Sequence, residues 1–160
     1  MTRPAKLLLI IVVAGLALIQ LVRPDRAVLP VDPAQSVEAA LVVSPEVKAI
    51  LVRSCYDCHS RETRWPWYSS VSPVGWLIAN DVAEGRRQLD FSTWTQYPAD
   101  RAARKLDDIV EEVSARGMPM PIYTYMHRDA ALSDAQIKLL VYWAQGQKRH
   151  LGGQTGATTR

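Results

Sequence analysis

Apolar residues run without interruption from Leu7 to Ile19 and, past Gln20, resume at Leu21 and Val22. Such a run predicts a helix that is apolar on every side, a form that belongs in lipid or in a deep core. Lys6 and Arg23 at its ends have stems long enough to carry their charges outward. The unbroken run is below the ~20 residues of a relaxed span. It is also longer than most signal-peptide cores, and no convincing small-x-small cleavage site follows it. Residues 1–23 are therefore read as a membrane anchor, with a removed signal segment as the alternative. Residues 24–44 carry Pro24, Pro30 and Pro33 without a helical period and are read as an extended tether.

From residue 45 onward the helical period takes over. Ser44-Pro45-Glu46 supplies a capping hydroxyl, a proline at the first helical position and an acid at the positive end of the dipole. Val47, Ile50 and Leu51 then fall on one face. A second helix starts at Ser72-Pro73 and runs to Glu84 or Gly85, and Asp90 opens a short turn over Phe91–Trp94. Over 98–116 the stripe Leu106, Ile109, Val110 and Val113 predicts a third helix that Gly117 stops. The acids Asp107, Asp108, Glu111 and Glu112 alternate with that stripe and read as its solvated face rather than an acid–base site. Ser133-Asp134-Ala135-Gln136 is a capping box for a last helix, with Ile137, Leu140, Val141 and Ala144, ending near His150. With no strand pattern and no repeat, the fold class is all-α: one domain over 45–150 and a flexible tail over 151–160.

Charge narrows the partners. Nineteen Lys and Arg against sixteen Asp and Glu leave a net charge of only +3, so no polybasic field points to nucleic acid. Five tryptophans and six tyrosines against one phenylalanine are large rings with polar handles, which suit a cofactor wall or a core.

Both cysteines of the chain lie in Cys55-Tyr56-Asp57-Cys58-His59. Two cysteines three apart with histidine next read as a c-type haem attachment site. Each thiol adds to one haem vinyl group, so the sulfurs must stand a porphyrin edge apart, and one turn of chain spans that edge. The adjacent His59 then reaches the iron as proximal axial ligand. Zinc would need about four ligands, and only His127 and His150 remain, at no finger-like spacing. A thioredoxin-type pair would want a βαβ context, and a plain disulfide is the remaining alternative. The loop that follows, through Arg64, Trp65, Trp67 and Tyr68, is too aromatic to be merely solvated. Those rings are candidates for the haem edge, and Arg61 or Arg64 for a propionate.

Every methionine after the first lies between Gly117 and His127, in a segment whose prolines force it to be extended. A stiff loop carrying a thioether suits a sixth iron ligand, which raises the reduction potential opposite histidine. Met118, between Gly117 and Pro119, is the first candidate; Met120 and His127 are the others.

Further residues extend the pattern: Cys55 to Ser60, Thr63 to Ser69, Ser72-Pro73 with Trp76, Glu84-Gly85-Arg86, Phe91 to Trp94, then Met118-Pro119, Tyr123, His127, Ala131 and Leu132-Ser133. In these the chain resembles the bacterial haem-binding domain family over about residues 45–146. The resemblance implies a cytochrome c-like helical domain around one covalent haem c, often behind an N-terminal membrane segment. Met120 departs from the two prolines that usually follow the methionine in that family. The expectation is a carrier of single electrons rather than an enzyme, seated on the bacterial cytoplasmic membrane with its haem domain in the periplasm and redox proteins as partners. A peroxidase-like enzyme or a gas or redox sensor with a labile sixth ligand is the alternative.

Overall fold

The computed structural model describes residues 2–26 and 29–157, with side chains through residue 152. Among the described residues there are eight α-helices and no strand: α1 Arg3–Ile19, α2 Val37–Ala40, α3 Pro45–Ser54, α4 Tyr56–His59, α5 Val74–Gln88, α6 Ala99–Ser114, α7 Pro121–Met126 and α8 Asp134–Ala157. Short 3₁₀ turns at Pro33–Gln35, Trp67–Ser70, Phe91–Gln96 and Arg128–Ala130 link them.

The capping chemistry acts where it was expected. Ser44 Oγ accepts from the Val47 N–H at 3.3 Å, and Pro45 opens α3. Ser133 and Gln136 exchange side-chain and backbone bonds at 3.0 and 3.3 Å ahead of α8. Asp90 accepts from the Ser92 N–H at 2.8 Å, which closes the turn that buries Phe91 and Trp94. On α6 the buried positions Ala102, Leu106, Ile109 and Val113 keep the 3.6-residue period, and α6 packs along α8. Leu140, Trp143 and Ala144 of α8 meet Leu51 of α3, Tyr56 and Phe91 in the same core. Each fully buried leucine there contributes about 1.5–3 kcal/mol.

Five features differ from the sequence reading. The expected transmembrane helix is only 17 residues long, about 25 Å at 1.5 Å per residue against a hydrocarbon core of ~30 Å. No helix among the described residues is long and apolar enough to cross a membrane. It ends at Ile19 because the Gln20 side chain turns back to the Leu16 carbonyl and across to Ser72. The segment read as a tether folds instead: Val37 and Leu41 are in the main core, and the Trp143 indole donates to the Val42 carbonyl at 2.9 Å. Pro121 starts α7 rather than extending the chain, because proline at the first helical position lacks only an N–H that would be unpaired anyway. Finally, α8 runs past His150 to Ala157; the rest of the expected tail lies outside the described residues. The turn after α6 is also made differently, since the left-handed residue is Arg116 (φ 56°) and not Gly117.

Candidate cofactor site

The helix α3 is carried into the core by Val47, Ile50 and Leu51 and stops at Cys55, whose backbone leaves helical space at φ −127°. The chain resumes as the single turn α4, packed against α5. That packing requires glycine at residue 85. A Cβ built there would lie 2.7 Å from the Cys58 carbonyl oxygen and 3.2 Å from Cys58 Cβ. With no side chain in the way, α5 closes on α4, and the carbonyls of Gly85 and Leu89 receive the His59 Nδ1–H at 2.9 and 3.1 Å. Both partners are pure acceptors, so the hydrogen is on Nδ1 and the lone pair on Nε2. Burial pushes the His59 pKa down, against the opposing pull of these two carbonyls and Asp90. Burial thus favours the neutral ring, and the two carbonyls fix its orientation, which is the condition of a metal-ligating histidine.

Two adjoining cavities, of about 170 and about 400 Å³, share Cys55, His59, Gln88 and Met118 in their walls. The smaller adds Cys58, Met120 and Tyr123. The larger adds Leu51, Leu89, Phe91, Ile109, Val113 and Leu140, and its volume alone is within the ~300–1,000 Å³ of small-molecule pockets. The cysteines are not disulfide-bonded. Burial, with the neighbouring Cys58, raises the Cys55 thiol to about 12. Burial, with Asp57, raises Cys58 to about 11. Reactive redox thiols are shifted the other way.

Asp57, between the cysteines, holds two segments. It pairs with Arg64 through Nε–Oδ1 (3.0 Å) and Nη2–Oδ2 (3.1 Å). Its Oδ2 also accepts from the Tyr123 hydroxyl at 2.7 Å, which ties the methionine segment to α4. The Tyr123 ring stacks on His127 with centroids 4.5 Å apart, and His127 Nε2 meets the Tyr68 hydroxyl at 2.6 Å. Arg86 donates to the Ser60 carbonyl (2.7 Å) and Thr63 Oγ1 (2.8 Å), fixing the loop after His59.

Of the residues picked out in the sequence, Cys55, Cys58, His59, Met118 and Met120 are brought together. The others stand elsewhere. Arg64 is committed to Asp57, and Arg61 to the Pro30 carbonyl and Asp90. Trp65 is beneath Arg26, Trp67 is 79% exposed, and Tyr68 and His127 hold each other. None of these six lines either cavity. Lys105 was missed: it is the one lysine or arginine in either wall, 15% exposed and 3.0 Å from Asp108. Its signal was a lysine within the apolar stripe of α6, three residues after Ala102 and four before Ile109. Gly85 and Tyr123 were also given no role, because each acts through a partner distant in sequence.

In this helical domain a histidine of fixed tautomer, the Cys55 thiol and the Met118 thioether border both cavities, and the Cys58 thiol borders the smaller. The chain belongs to the haem-binding domain family, whose model matches residues 14–146. No curated protein and no solved structure matches it. The family match starts inside α1 and covers the segment read as a tether, which agrees with the burial of Val37 and Leu41.

Proposed function

We propose that this protein is a c-type cytochrome that passes single electrons while held at a membrane. One haem would be held through Cys55 and Cys58, with His59 Nε2 and the Met118 sulfur as donors to its iron. The reading is carried by one observation: His59 Nδ1 is committed to the Gly85 and Leu89 carbonyls, leaving Nε2 for a metal beside cavities shared with Cys55 and Met118. Haem iron bound there supplies a one-electron couple, which a methionine ligand moves to higher potential.

The remaining roles fall to the chain's own residues. The two carbonyls orient the imidazole and raise its basicity. Tyr123, through Asp57, holds the methionine segment in place. Leu51, Leu89, Phe91, Ile109, Val113 and Leu140 exclude water, while Lys105 and Asp108 neutralise each other in the wall of the larger cavity. The helix α1 buries none of its residues and is apolar all round; continued by Leu21 and Val22, it is an anchor that seats in lipid. The haem domain then lies on the periplasmic side, where attachment of c-type haem takes place, and its partners are redox proteins.

Spectra of the purified full chain test the reading. A low-spin ferric state with a methionine-to-iron charge-transfer band is expected, together with a mass increase of one haem that survives denaturation. Met118→Ala should abolish the band and Met120→Ala should retain it. A high-spin ferric state that takes up cyanide readily would overturn the carrier in favour of an enzyme or sensor with an open site. A chain mass with both thiols free would remove the covalent haem.

A further inference from the structure

The aromatic loop after His59 stays away from the cavities and meets the end of α1. The Gln20 amide and the Ser72 backbone bond each other both ways: Nε2 to the Ser72 carbonyl at 3.0 Å and the Ser72 N–H to Oε1 at 2.9 Å. The Trp76 indole donates to the Val22 carbonyl at 2.7 Å. Arg26 donates to the hydroxyls of Ser69 and Ser70, each at 3.0 Å, with its guanidinium 5.9 Å from the Trp65 ring centroid. The helix end is thus bonded directly to the corner formed by residues 65–77. Around these bonds the surface is apolar: Trp67, Val71, Val74 and Leu77 are exposed, Leu77 at 65%, as are Leu21 and Val22.

Taken with the proposal above that α1 seats in lipid, these bonds set a level. Gln20 and Val22 mark where the chain leaves the hydrocarbon, and whatever is a hydrogen bond away from them stands at that depth. Tryptophan concentrates at that depth, its ring in the headgroup region, and an arginine such as Arg23 is a usual interfacial anchor there. We infer that residues 67–77 are a lipid-contacting face: Trp67, Val71, Val74 and Leu77 rest in the membrane interface and hold the haem domain at a fixed attitude. This gives a physical reason for aromatic residues beside an attachment motif whose cavities they do not line.

The full-length holoprotein would be reconstituted into vesicles of phosphatidylcholine and phosphatidylglycerol. The vesicles would contain a phosphatidylcholine with a photoactivatable diazirine high in one acyl chain, and adducts would be mapped by mass spectrometry. A second exposed apolar patch, Ile122, Tyr125 and Met126 on α7, is an internal control. The inference predicts adducts on α1 and, severalfold more densely than on α7, on the peptide containing Trp67 to Leu77. Adducts on α1 with none on that peptide would overturn the lipid face, leave the anchor standing and point to a protein partner for the corner. Equal labelling of the corner and α7 would also overturn it. Protein that fails to float with the vesicles would remove the anchor itself, and the lipid face with it.

Discussion

Gly85→Ala sets two effects of opposite sign against each other. In the interior of an exposed helix, glycine to alanine stabilises by about 0.5–1 kcal/mol, because alanine loses less backbone entropy on folding. Here the added methyl would sit 2.7 Å from the Cys58 carbonyl oxygen, where ordinary contact begins at 3.4 Å. Both groups are backbone-fixed, so no side chain can rotate aside, and α4 and α5 must part by several tenths of an ångström. Overpacking of this kind costs about 1–3 kcal/mol, at or above the gain, so the net loss is roughly 0–2.5 kcal/mol and is centred above ~1 kcal/mol. The same separation lengthens the His59 Nδ1–Gly85 bond from 2.9 Å, which makes the imidazole a weaker donor and shifts the potential.

Gly146 in α8 supplies the control, since a Cβ there meets only the tip of Arg149 at 3.8 Å. Gly146→Ala should stabilise by about 0.5–1 kcal/mol. Urea unfolding of the holoprotein followed by far-ultraviolet circular dichroism reads both changes as midpoints. If Gly146→Ala behaves as stated but Gly85→Ala is as stable as the parent with an unshifted potential, the close contact of α4 with α5 and its role in holding His59 are refuted.

Other expectations follow from the hydrogen bonds around the motif. Tyr123→Phe removes a half-exposed bond to a carboxylate, worth about 1 kcal/mol, so imidazole should displace the methionine ligand at about fivefold lower concentration; unchanged competition would free the methionine segment from Asp57. Glu38 accepts from the Tyr56 hydroxyl at 3.0 Å and pairs with Lys48 at 3.1 Å. Burial pushes its pKa up, but hydrogen bonds from its own backbone N–H, Lys48 and Tyr56 outweigh that and leave it lowered. With the folded value below the unfolded one, this stabilisation is complete above the usual carboxylate range and is lost as pH falls through the folded value. Glu38→Gln should therefore flatten the acid limb of stability measured against pH, and an unchanged limb would refute the assignment.

What was legible in the sequence is what is decided locally. Ser44, Asp90 and Ser133 with Gln136 act on N–H groups two or three residues away, so their helix and turn starts could be read from spacing alone. Two thiols and a histidine within five residues pointed to haem without help from the fold, and the family match supports haem binding. The segment before Ser44 was misread because Val37 and Leu41 are too few to make a period, and their burial depends on α8 and the turn after Asp90. Arg64 was assigned a propionate on its charge, yet Asp57, seven residues earlier, takes that charge. The aromatic loop was assigned to the cofactor because sequence shows that rings are present and not which way they lie. Tyr123 reaches Asp57 across 66 residues, a separation at which only the packed chain brings the two together.

In the covalent attachment proposed above, the two residues between the cysteines would be only spacers, yet this protein uses both. In the single turn α4 they leave in different directions. Tyr56 is buried, its ring stacked on Phe91 with centroids 5.5 Å apart and its hydroxyl on Glu38 of α2. Asp57 takes Arg64 and Tyr123. The turn α4 is thereby joined through Tyr56 to the N-terminal segment and through Asp57 to the methionine segment. With His59 bonded to the Gly85 and Leu89 carbonyls from the same turn, three residues, Tyr56, Asp57 and His59, fix the stretch that carries both thiols. A substitution at either spacer should therefore act on the site as well as on stability: Tyr56→Phe by loosening α2, and Asp57→Asn by weakening the bond that keeps Met118 at the cavity.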